Sequence, residues 1–588
     1  MTDTTLLETT LERTLDAWLD RFARTEWRGA TVEGWLFEGA SARRAAERRL
    51  RAAGVQANLR SAYKPLVHYF LEEVDRDQLA TVTVRYPVHP LASPRRFVLE
   101  AYPLAGLLAD CAIEFLPGDE NLHYQLALTF KDGGQRQASV WAPNRSHRGC
   151  SGATLLSPTG WLRVRSAGAT AIALDAAETT DYERVLERIA GTVEGHAWPA
   201  QEPYFERLDI RVDLPGMEQP LPVGHECISS HEALHEDIYF SLLEIFQRRS
   251  GRAAGDRRLQ PGQIVPDVRA SDSAPRLRIA VSAFKRGPGP GGNPDPAGDA
   301  APLEQLETAP TASRVASEMA LLRGHRFGAS SRQGRAVRGV YQRGSGPAVY
   351  ISGGQHANET SGVVGALRAA RTLAQQADSH FALVPLENPD GYALQRELAA
   401  RNPRHMLHAA RYSALGDDIE YREQPPLYER AAREQALALS GAQLHVNLHG
   451  YPAHEWTRPL SGYLPHGFEL WTIPKGFFLI LRHHSGWQAE GRALVEQVAA
   501  ALAQVPGLAD YNARQLALYQ RHAGALPFEV IQGTACAVSQ VDRPGAPVTL
   551  ITEYPDETIA GQAFQFAHTV QMEAALAAVR AWQTLARR

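Results

Sequence analysis

Beyond residue 340, short apolar runs typical of buried strands alternate with helical patterns. AVYISGG at 348–354 is strand-like, SGVVGALRAARTLAQQ at 361–376 is helical, and FALVPLENPDGY at 381–392 begins as a second strand. Two further strands are predicted at 443–452 and 548–555. Such alternation forms a largely parallel sheet with ligands at the carboxyl ends of its strands. We therefore predict an α/β fold for the C-terminal half, with a mixed, mostly parallel sheet and helices on both faces.

The N-terminal half has a different pattern. Residues 1–75 look helical, whereas about 80–225 consists of short alternating runs broken by Gly, Pro or Asp, as in an α+β or β-rich region. GPGPGGNPDPAGDAAP at 287–302 reads as a linker because Gly and Pro dominate it. We predict three segments. Residues 1–230 form an N-terminal region without an assigned role, and residues 231–309 contain a helix, a strand and the linker. Residues 310–588 form the catalytic domain.

Charge and cysteine content limit the classes of partner. The formal net charge is -4 with acids and bases interleaved, so neither nucleic acid nor a membrane surface is an expected partner. The four cysteines are scattered without CxxC pairs, which fits a reducing compartment. No secretory leader and no apolar run of bilayer-spanning length is visible. We expect a cytoplasmic protein whose partner is a peptide or small amide.

The first candidate metal site is HEALHE at 231–236. On a helix, His231 and His235 would share one face and Glu232 could act as a base. However, Glu236 and Asp237 follow where apolar or small residues are typical. We interpret this string as a helix start, capped by a serine at 229 or 230, with acids in its first turns.

The second candidate combines His356 and Glu359 with His449. The first two follow the predicted strand AVYISGG, and the third ends the strand QLHVNLHGYP. Two histidines and one glutamate leave the fourth position of a zinc ion open, as in catalytic zinc sites. We predict one Zn²⁺ per chain at these residues.

The order of motifs after residue 310 resembles that of a known family. HxxE at 356–359 is followed by NPDGY at 388–392, ARYSALGDDIEYR at 410–422, HGY at 449–451 and TEY at 552–554. This ordered set resembles the zinc carboxypeptidases of the carboxypeptidase A type, most closely their cytosolic branch. The resemblance covers about 310–588, under half of the chain.

The resemblance implies a metallocarboxypeptidase, a peptide hydrolase that uses a zinc-activated water. Glu553 matches the general base, and Arg411 matches the arginine that faces the developing oxyanion. Asp418 matches the acid that holds the second ring nitrogen of His356.

The chain departs from the family where the substrate's terminal carboxylate is bound. The family has an Asn-Arg pair after the acid, but here Glu420 and Tyr421 stand in those places and Arg422 comes one position late. A one-residue slip on a strand turns a side chain to the opposite face. Arg422, Glu420 and Tyr451 are nevertheless the predicted substrate-binding residues.

Two alternatives remain open at this stage. One is a zinc deacylase of N-acyl amino acids, because such enzymes also combine HxxE with a distant histidine. The other is a non-catalytic peptide-binding module on the same fold.

Overall fold

The structure is a computed structural model that describes residues 3–284, 300–464 and 471–585. The predicted linker at 287–302 lies outside the described residues except for its last three positions. None of the described helices is both long and apolar enough to cross a bilayer.

The described residues 3–284 contain sixteen strands and seven helices. The strands are β1 (Thr4–Thr10), β2 (Thr31–Leu36), β3 (Gln56–Ser61), β4 (Leu79–Tyr86), β5 (Ala112–Pro117), β6 (His123–Phe130), β7 (Gln135–Trp141), β8 (Asn144–Arg148), β9 (Thr154–Pro158), β10 (Trp161–Arg165), β11 (Leu174–Ala177), β12 (Arg207–Leu214), β13 (Glu218–Pro220), β14 (Cys227–Ser229), β15 (Gln263–Ala270) and β16 (Arg276–Ser282). The helices are α1 (Thr14–Phe22), α2 (Ala40–Ala52), α3 (Pro65–Glu72), α4 (Arg96–Glu100), α5 (Leu104–Leu107), α6 (Asp181–Gly195) and α7 (Ser230–Ser250).

The C-terminal half contains the remaining elements. Its strands are β17 (His325–Ser330), β18 (Ala336–Gln342), β19 (Val349–Gly353), β20 (Phe381–Val384), β21 (Leu444–Pro452), β22 (Phe478–His483), β23 (Glu529–Ile531), β24 (Thr534–Gln540) and β25 (Val548–Glu557). Its helices are α8 (Ala312–Leu321), α9 (Ser361–Leu373), α10 (Pro389–Ala399), α11 (Arg430–Ser440), α12 (Gln488–Leu502), α13 (Leu508–Ala523) and α14 (Gln562–Leu585).

One nine-stranded sheet organises the C-terminal half, in the order β17-β18-β20-β19-β21-β25-β22-β24-β23. The four central strands β20, β19, β21 and β25 run parallel, whereas antiparallel pairings occur nearer both edges. Helices α9, α12 and α14 pack in the core on one face, and α11 packs on the other. The predicted α/β class, with a mixed sheet and helices on both faces, is confirmed.

The N-terminal half contains three four-stranded sheets, which confirms a β-rich region. The expectation that residues 1–75 are helical is wrong in part, because strands β1, β2 and β3 alternate there with helices. The threonine-rich β1 pairs antiparallel with β16, more than 260 residues later. β-Branched threonines favour strands, and a distant partner strand is not visible in a local pattern.

A large hydrophobic cluster is shared by the two halves. It contains Trp35 and Ile210 from the N-terminal sheets, Tyr239 from α7, and Leu394 and Tyr463 from the C-terminal half. Strands β15 and β16, within 231–309, complete a sheet with β1 and β12 from 1–230. The division of the chain into domains stays a prediction.

Candidate metal centre

The three predicted metal ligands lie at the carboxyl ends of two neighbouring parallel strands. His356 and Glu359 follow β19, and His449 lies near the end of β21, whose Leu448 is in register with Gly353. Gly354 has a positive φ of 60°, and a Cβ there would lie 2.9 Å from the Leu386 side chain. Glycine therefore lets the chain turn sharply out of the buried strand and place both ligands beside His449.

The ligand atoms converge in a buried cluster. The Glu359 carboxylate lies 2.9 Å from Nδ1 of His356 through Oε1 and 2.8 Å from Nδ1 of His449 through Oε2. The two Nδ1 atoms are 3.0 Å apart. All three side chains are buried, and this is the only set of three potential ligands found among the described residues.

This donor set fits a zinc ion. Two imidazole nitrogens and one carboxylate are a known ligand set of catalytic zinc, and tetrahedral ligands at zinc distances lie about 3.3 Å from one another. The observed separations of 2.8–3.0 Å are within a few tenths of an ångström of that value. Two ring nitrogens that face each other at 3.0 Å can share only one proton, so a cation between them is a better partner than either ring alone.

Asp418 lies next to the His356 ring, on the side that faces away from the other two ligands. Its Oδ2 is 3.5 Å from Nε2 of His356, the ring nitrogen that faces away from the cluster. Its Oδ1 accepts hydrogen bonds from Gln355 Nε2 at 3.1 Å and from the Glu420 backbone N–H at 3.0 Å. Asp418 is therefore held by two donors in a position from which it orients the imidazole.

Arg411 reaches the cluster from a loop after the short 3-10 helix His408–Ala410. Its Nη1 donates to Glu359 Oε1 at 2.5 Å, and no other hydrogen bond of its side chain is found among the described residues. The remaining guanidinium donors are thus available beside the ligands.

Glu553 lies beside the same cluster. On β25 it is in register with His449 of β21, so the two side chains emerge on the same face of adjacent strands. It is half-buried, and no donor from the described residues bonds to its carboxylate. Burial raises the pKa of Glu553 well above its usual range, and repulsion from Glu359 raises it further.

Arg422 is occupied elsewhere. Nε donates to Asp417 at 2.9 Å, Nη1 donates to Glu429 and to Leu427 O, and Nη2 donates to Asp417 and to Ser413 Oγ at 2.7 Å. Because all five guanidinium donors have protein acceptors, Arg422 has none left for a carboxylate of the substrate. The geometry does not support the expected substrate-binding role.

Glu420 and Tyr451, the other two predicted substrate-binding residues, occupy different surroundings. Glu420 is hydrogen-bonded to Arg433 and has Arg482 and Arg543 within 3.8 Å. Tyr451 is two residues beyond His449, and its hydroxyl donates to the backbone oxygen of Gly476 at 2.5 Å. Tyr451 therefore lies beside the ligands, whereas Glu420 lies in a cluster of guanidinium groups.

HEALHE forms the start of α7, as expected, with Ser229 as the N-cap residue whose Oγ accepts from the Glu232 N–H at 2.9 Å. Its two histidines do not converge on a common acid with a third ligand among the described residues. Glu232 instead accepts from Nε2 of His454 at 2.8 Å and from the Met406 N–H at 2.7 Å. The start of α7 is therefore bonded through Glu232 to the segments around Met406 and His454.

The same helix supports the loop that carries Arg411. Tyr239 and Phe240 pack against the ring of His408, three residues before Arg411. Glu236 is fully buried beside His408, and burial raises its pKa well above the usual range. Sequence reasoning placed acids of α7 in a capping role only, because their partners are more than 170 residues away.

Lys475 is a residue near the cluster that sequence reasoning missed. It is one of only four lysines in the chain, and it stands in the aromatic stretch WTIPKGFF just before β22. A lone lysine among aromatic residues in an arginine-rich chain was the available signal.

One segment of the C-terminal half matches a known protein family. Residues 321–422 match the zinc carboxypeptidase family. The matched segment contains His356, Glu359, Arg411 and Asp418, while His449 and Glu553 lie beyond its end. The match confirms the resemblance stated above and supports a metallocarboxypeptidase-type hydrolase with zinc as its metal.

Several solved structures with a partial likeness to this chain are described as carboxypeptidases. They include a metallo-carboxypeptidase from Burkholderia cenocepacia, with 14% identity, coverage of 53% of this chain and 76% of that chain, and a TM-score of 0.29. A metallo-carboxypeptidase from Pseudomonas aeruginosa has 14% identity, coverage of 53% and 72%, and a TM-score of 0.29. Carboxypeptidase A from Helicoverpa armigera has 12% identity, coverage of 54% and 91%, and a TM-score of 0.29. No curated protein matches the sequence.

Proposed function

We propose that the protein is a zinc-dependent peptidase that hydrolyses the peptide or amide bond before the last residue of a small peptide. The observation that carries this proposal is the buried cluster of His356, Glu359 and His449, flanked by Arg411 and Glu553 at the same edge of the sheet. Ligands, a cationic donor and an unbonded carboxylate are the parts that such a hydrolysis needs.

His356, Glu359 and His449 would hold the zinc ion, which when bound supplies Lewis-acid polarisation of a carbonyl and acidification of water. Glu553 removes a proton from the attacking water and returns it to the leaving amine. Arg411 donates to the carbonyl oxygen as negative charge develops on it. Asp418 keeps the His356 ring in the orientation that directs Nδ1 to the cluster.

The environment of Glu553 is consistent with a base that depends on the metal. Repulsion by Glu359 contributes to the raised pKa of Glu553. When a cation neutralises Glu359, that repulsion is offset and Glu553 returns toward the ionised form that a base requires.

A second candidate is the removal of an acyl group from an N-acyl amino acid. This second candidate is retained because of Arg422, the arginine nearest to the position that carboxypeptidases use for the substrate carboxylate. All five of its donors already have protein acceptors. Parallel assays of blocked dipeptides and N-acyl amino acids distinguish the two activities.

Zinc content tests the assignment of the site. We expect one zinc per chain by elemental analysis in the wild type, loss of zinc in His356→Gln, and retention in His231→Gln. These variants are a matched pair, because both replace a buried histidine by the same polar residue. Loss of zinc in His231→Gln alone, or its absence from zinc-supplied wild type, would contradict the proposal.

Activity tests the reaction. Zinc-loaded wild type is expected to release the terminal residue from N-acetylated dipeptides, and His356→Gln is expected to release none. A zinc-containing protein that hydrolyses neither dipeptides nor N-acyl amino acids would instead favour a binding module.

A further inference from the structure

Lys475 is a buried cation whose ammonium group has no hydrogen-bonding partner among the described residues. Its side chain is only 1% exposed, and Nζ makes no hydrogen bond within the described residues. Three aromatic rings surround the ammonium group, with centroids at 5.0 Å for Tyr451, 5.1 Å for Trp471 and 5.4 Å for Phe478. Aromatic faces attract a cation but accept none of its three N–H bonds in the way that an anion does.

This lysine lies at the edge of the sheet that carries the metal ligands. Tyr451 is two residues after His449 on β21, and Phe478 is in register with Glu553 across β22 and β25. Since paired residues of neighbouring strands share a face, the ring walls around Lys475 are continuous with the surroundings of Glu553.

A hydrogen bond from its backbone to Tyr451 fixes the position of Lys475. The Lys475 N–H donates to the Tyr451 hydroxyl at 3.0 Å, and that hydroxyl donates to the Gly476 carbonyl at 2.5 Å. Tyr451 thus holds the turn before β22 against the end of β21, and the ammonium group is preorganised beside the cluster.

Other cations near the cluster are already committed. Arg422 has all five donors bonded, and the donors of Arg411 that Glu359 leaves free are assigned above to the carbonyl oxygen of the substrate. Tyr421, which stands where carboxypeptidases have arginine, carries no charge, and its ring lies under the guanidinium groups of Arg257 and Arg543. Arg482, close to Glu420, is in register with Thr549, four residues from Glu553 along β25.

We propose that Lys475 binds the terminal carboxylate of the peptide substrate, a role that rests on the hydrolase activity proposed above. The carboxylate accepts hydrogen bonds from the ammonium group, and the buried rings of Tyr451 and Phe478 limit the access of water to this ion pair. Lys475 is then a specificity-determining residue that selects a free chain end, in place of an arginine that the fold uses elsewhere.

The ionisation of Lys475 agrees with this assignment. Burial lowers the pKa of its ammonium group to about 7, and only Glu553 opposes that shift. A carboxylate in direct contact would favour the charged form and raise the pKa again. The site is therefore completed electrostatically by an anionic ligand.

The test compares peptide acids with the corresponding peptide amides. N-acetylated dipeptides are assayed with a free carboxylate or a terminal amide on zinc-loaded wild type, Lys475→Met and Lys475→Arg. We expect wild type to prefer the acids in kcat/KM. Lys475→Met should lose about 10- to 100-fold on acids, mainly through KM, and lose the preference. Lys475→Arg should retain most of the preference.

Structural damage is distinguished by three controls. Zinc content and melting temperature are measured for each variant, and Met fills the aromatic enclosure with a side chain of similar length. Tyr451→Phe retains the ring but removes the hydroxyl that holds the turn, so it should weaken the preference less than Lys475→Met. Equal discrimination by wild type and Lys475→Met would overturn the proposal.

A binding measurement separates this proposal from the proposed activity. Calorimetry with the same acid and amide peptides is done on zinc-loaded Glu553→Gln, with and without Lys475→Met. Acids that bind at least tenfold more tightly than amides, only when Lys475 is present, support the assignment even if wild type hydrolyses neither peptide. Dependence on an acidic side chain without dependence on the terminal carboxylate would overturn it.

Discussion

Glu553 and Arg411 both lie near one carboxylate, that of Glu359. Arg411 donates to it at 2.5 Å, whereas Glu553 is repelled by it and receives no hydrogen bond from the described residues. Because its side chain bonds to none of the described residues, Glu553 is positioned beside the ligands by the pairing of its strand. At the scale of single residues, this difference supports the proposed division of roles, with Glu553 as the base and Glu359 as a metal ligand.

Replacement of Glu553 by Gln should therefore remove turnover without removing the metal. Turnover of N-acetylated dipeptides should fall by about 10²- to 10⁴-fold, since a positioned base contributes a factor of that order. Zinc content and melting temperature should stay close to those of the wild type. Wild-type turnover in Glu553→Gln would show that another group is the base. Glu529→Gln, an exposed glutamate on edge strand β23, is the matched control.

At the scale of elements, α7 is a support for two loops of the C-terminal half. Its first turns bond to the Met406 N–H and to His454, and Asp237 accepts from the Leu460 N–H at 2.9 Å. Because these carboxylates are buried, each needs the partners that the opposite half supplies. The loops that bear Arg411 and follow His449 are fixed by this exchange.

The His454–Glu232 pair should make stability depend on pH. Burial alone would lower the pKa of His454, but Glu232 outweighs it and raises the pKa to about 9. The folded protein then binds this proton more strongly than the unfolded chain, whose histidine titrates near 6.5. The stabilisation is fully present below pH 6.5 and is lost as pH rises through 9, up to about 3 kcal/mol.

Urea unfolding of zinc-free protein at pH 6.5 and pH 9.5 checks this prediction. His454→Gln should be less stable than wild type at pH 6.5, and the difference in free energy of unfolding should shrink at pH 9.5. Asp237, whose pKa burial raises to about 7, titrates in both proteins and so cancels in the comparison. A difference independent of pH would contradict the assigned ionisation.

At the scale of the whole molecule, the two halves share a large hydrophobic cluster in addition to the clusters that each half forms alone. Residues from the N-terminal sheets, from α7 and from the C-terminal loops pack within the same cluster. Polar contacts cross as well, including Tyr63 to Thr457 at 2.6 Å and the buried ion pair of Lys64 with Glu455. Separation of the halves would expose this core and leave buried charges unpaired.

Neither half should therefore fold well without the other. When residues 1–284 and 300–588 are expressed as separate chains, we expect soluble protein and bound zinc only on co-expression, with both chains in one complex. Size-exclusion chromatography and zinc analysis provide the readouts, and the intact chain is the control. A monomeric, zinc-binding 300–588 fragment with the wild-type melting temperature would contradict a shared core.

The sequence alone determined those features whose causes are local. Apolar runs predicted strands β19, β20, β21 and β25, and the residues at their ends predicted the cluster at 356, 359 and 449. Strand alternation and glycine turns act over a few residues, so they are legible without the fold. The start of α7 was predicted for the same reason, from a serine cap and early acids.

Only the tertiary structure decided which charged groups are free. Arg422 resembles a substrate ligand in the sequence, yet five acceptor atoms of the protein occupy its donors. The ammonium group of Lys475, in contrast, is surrounded by three aromatic rings and forms no hydrogen bond with the described residues. Strand β1 likewise forms through its antiparallel pairing with β16. The availability of a donor and the partner of an edge strand depend on residues far apart in the chain, which only folding brings into contact.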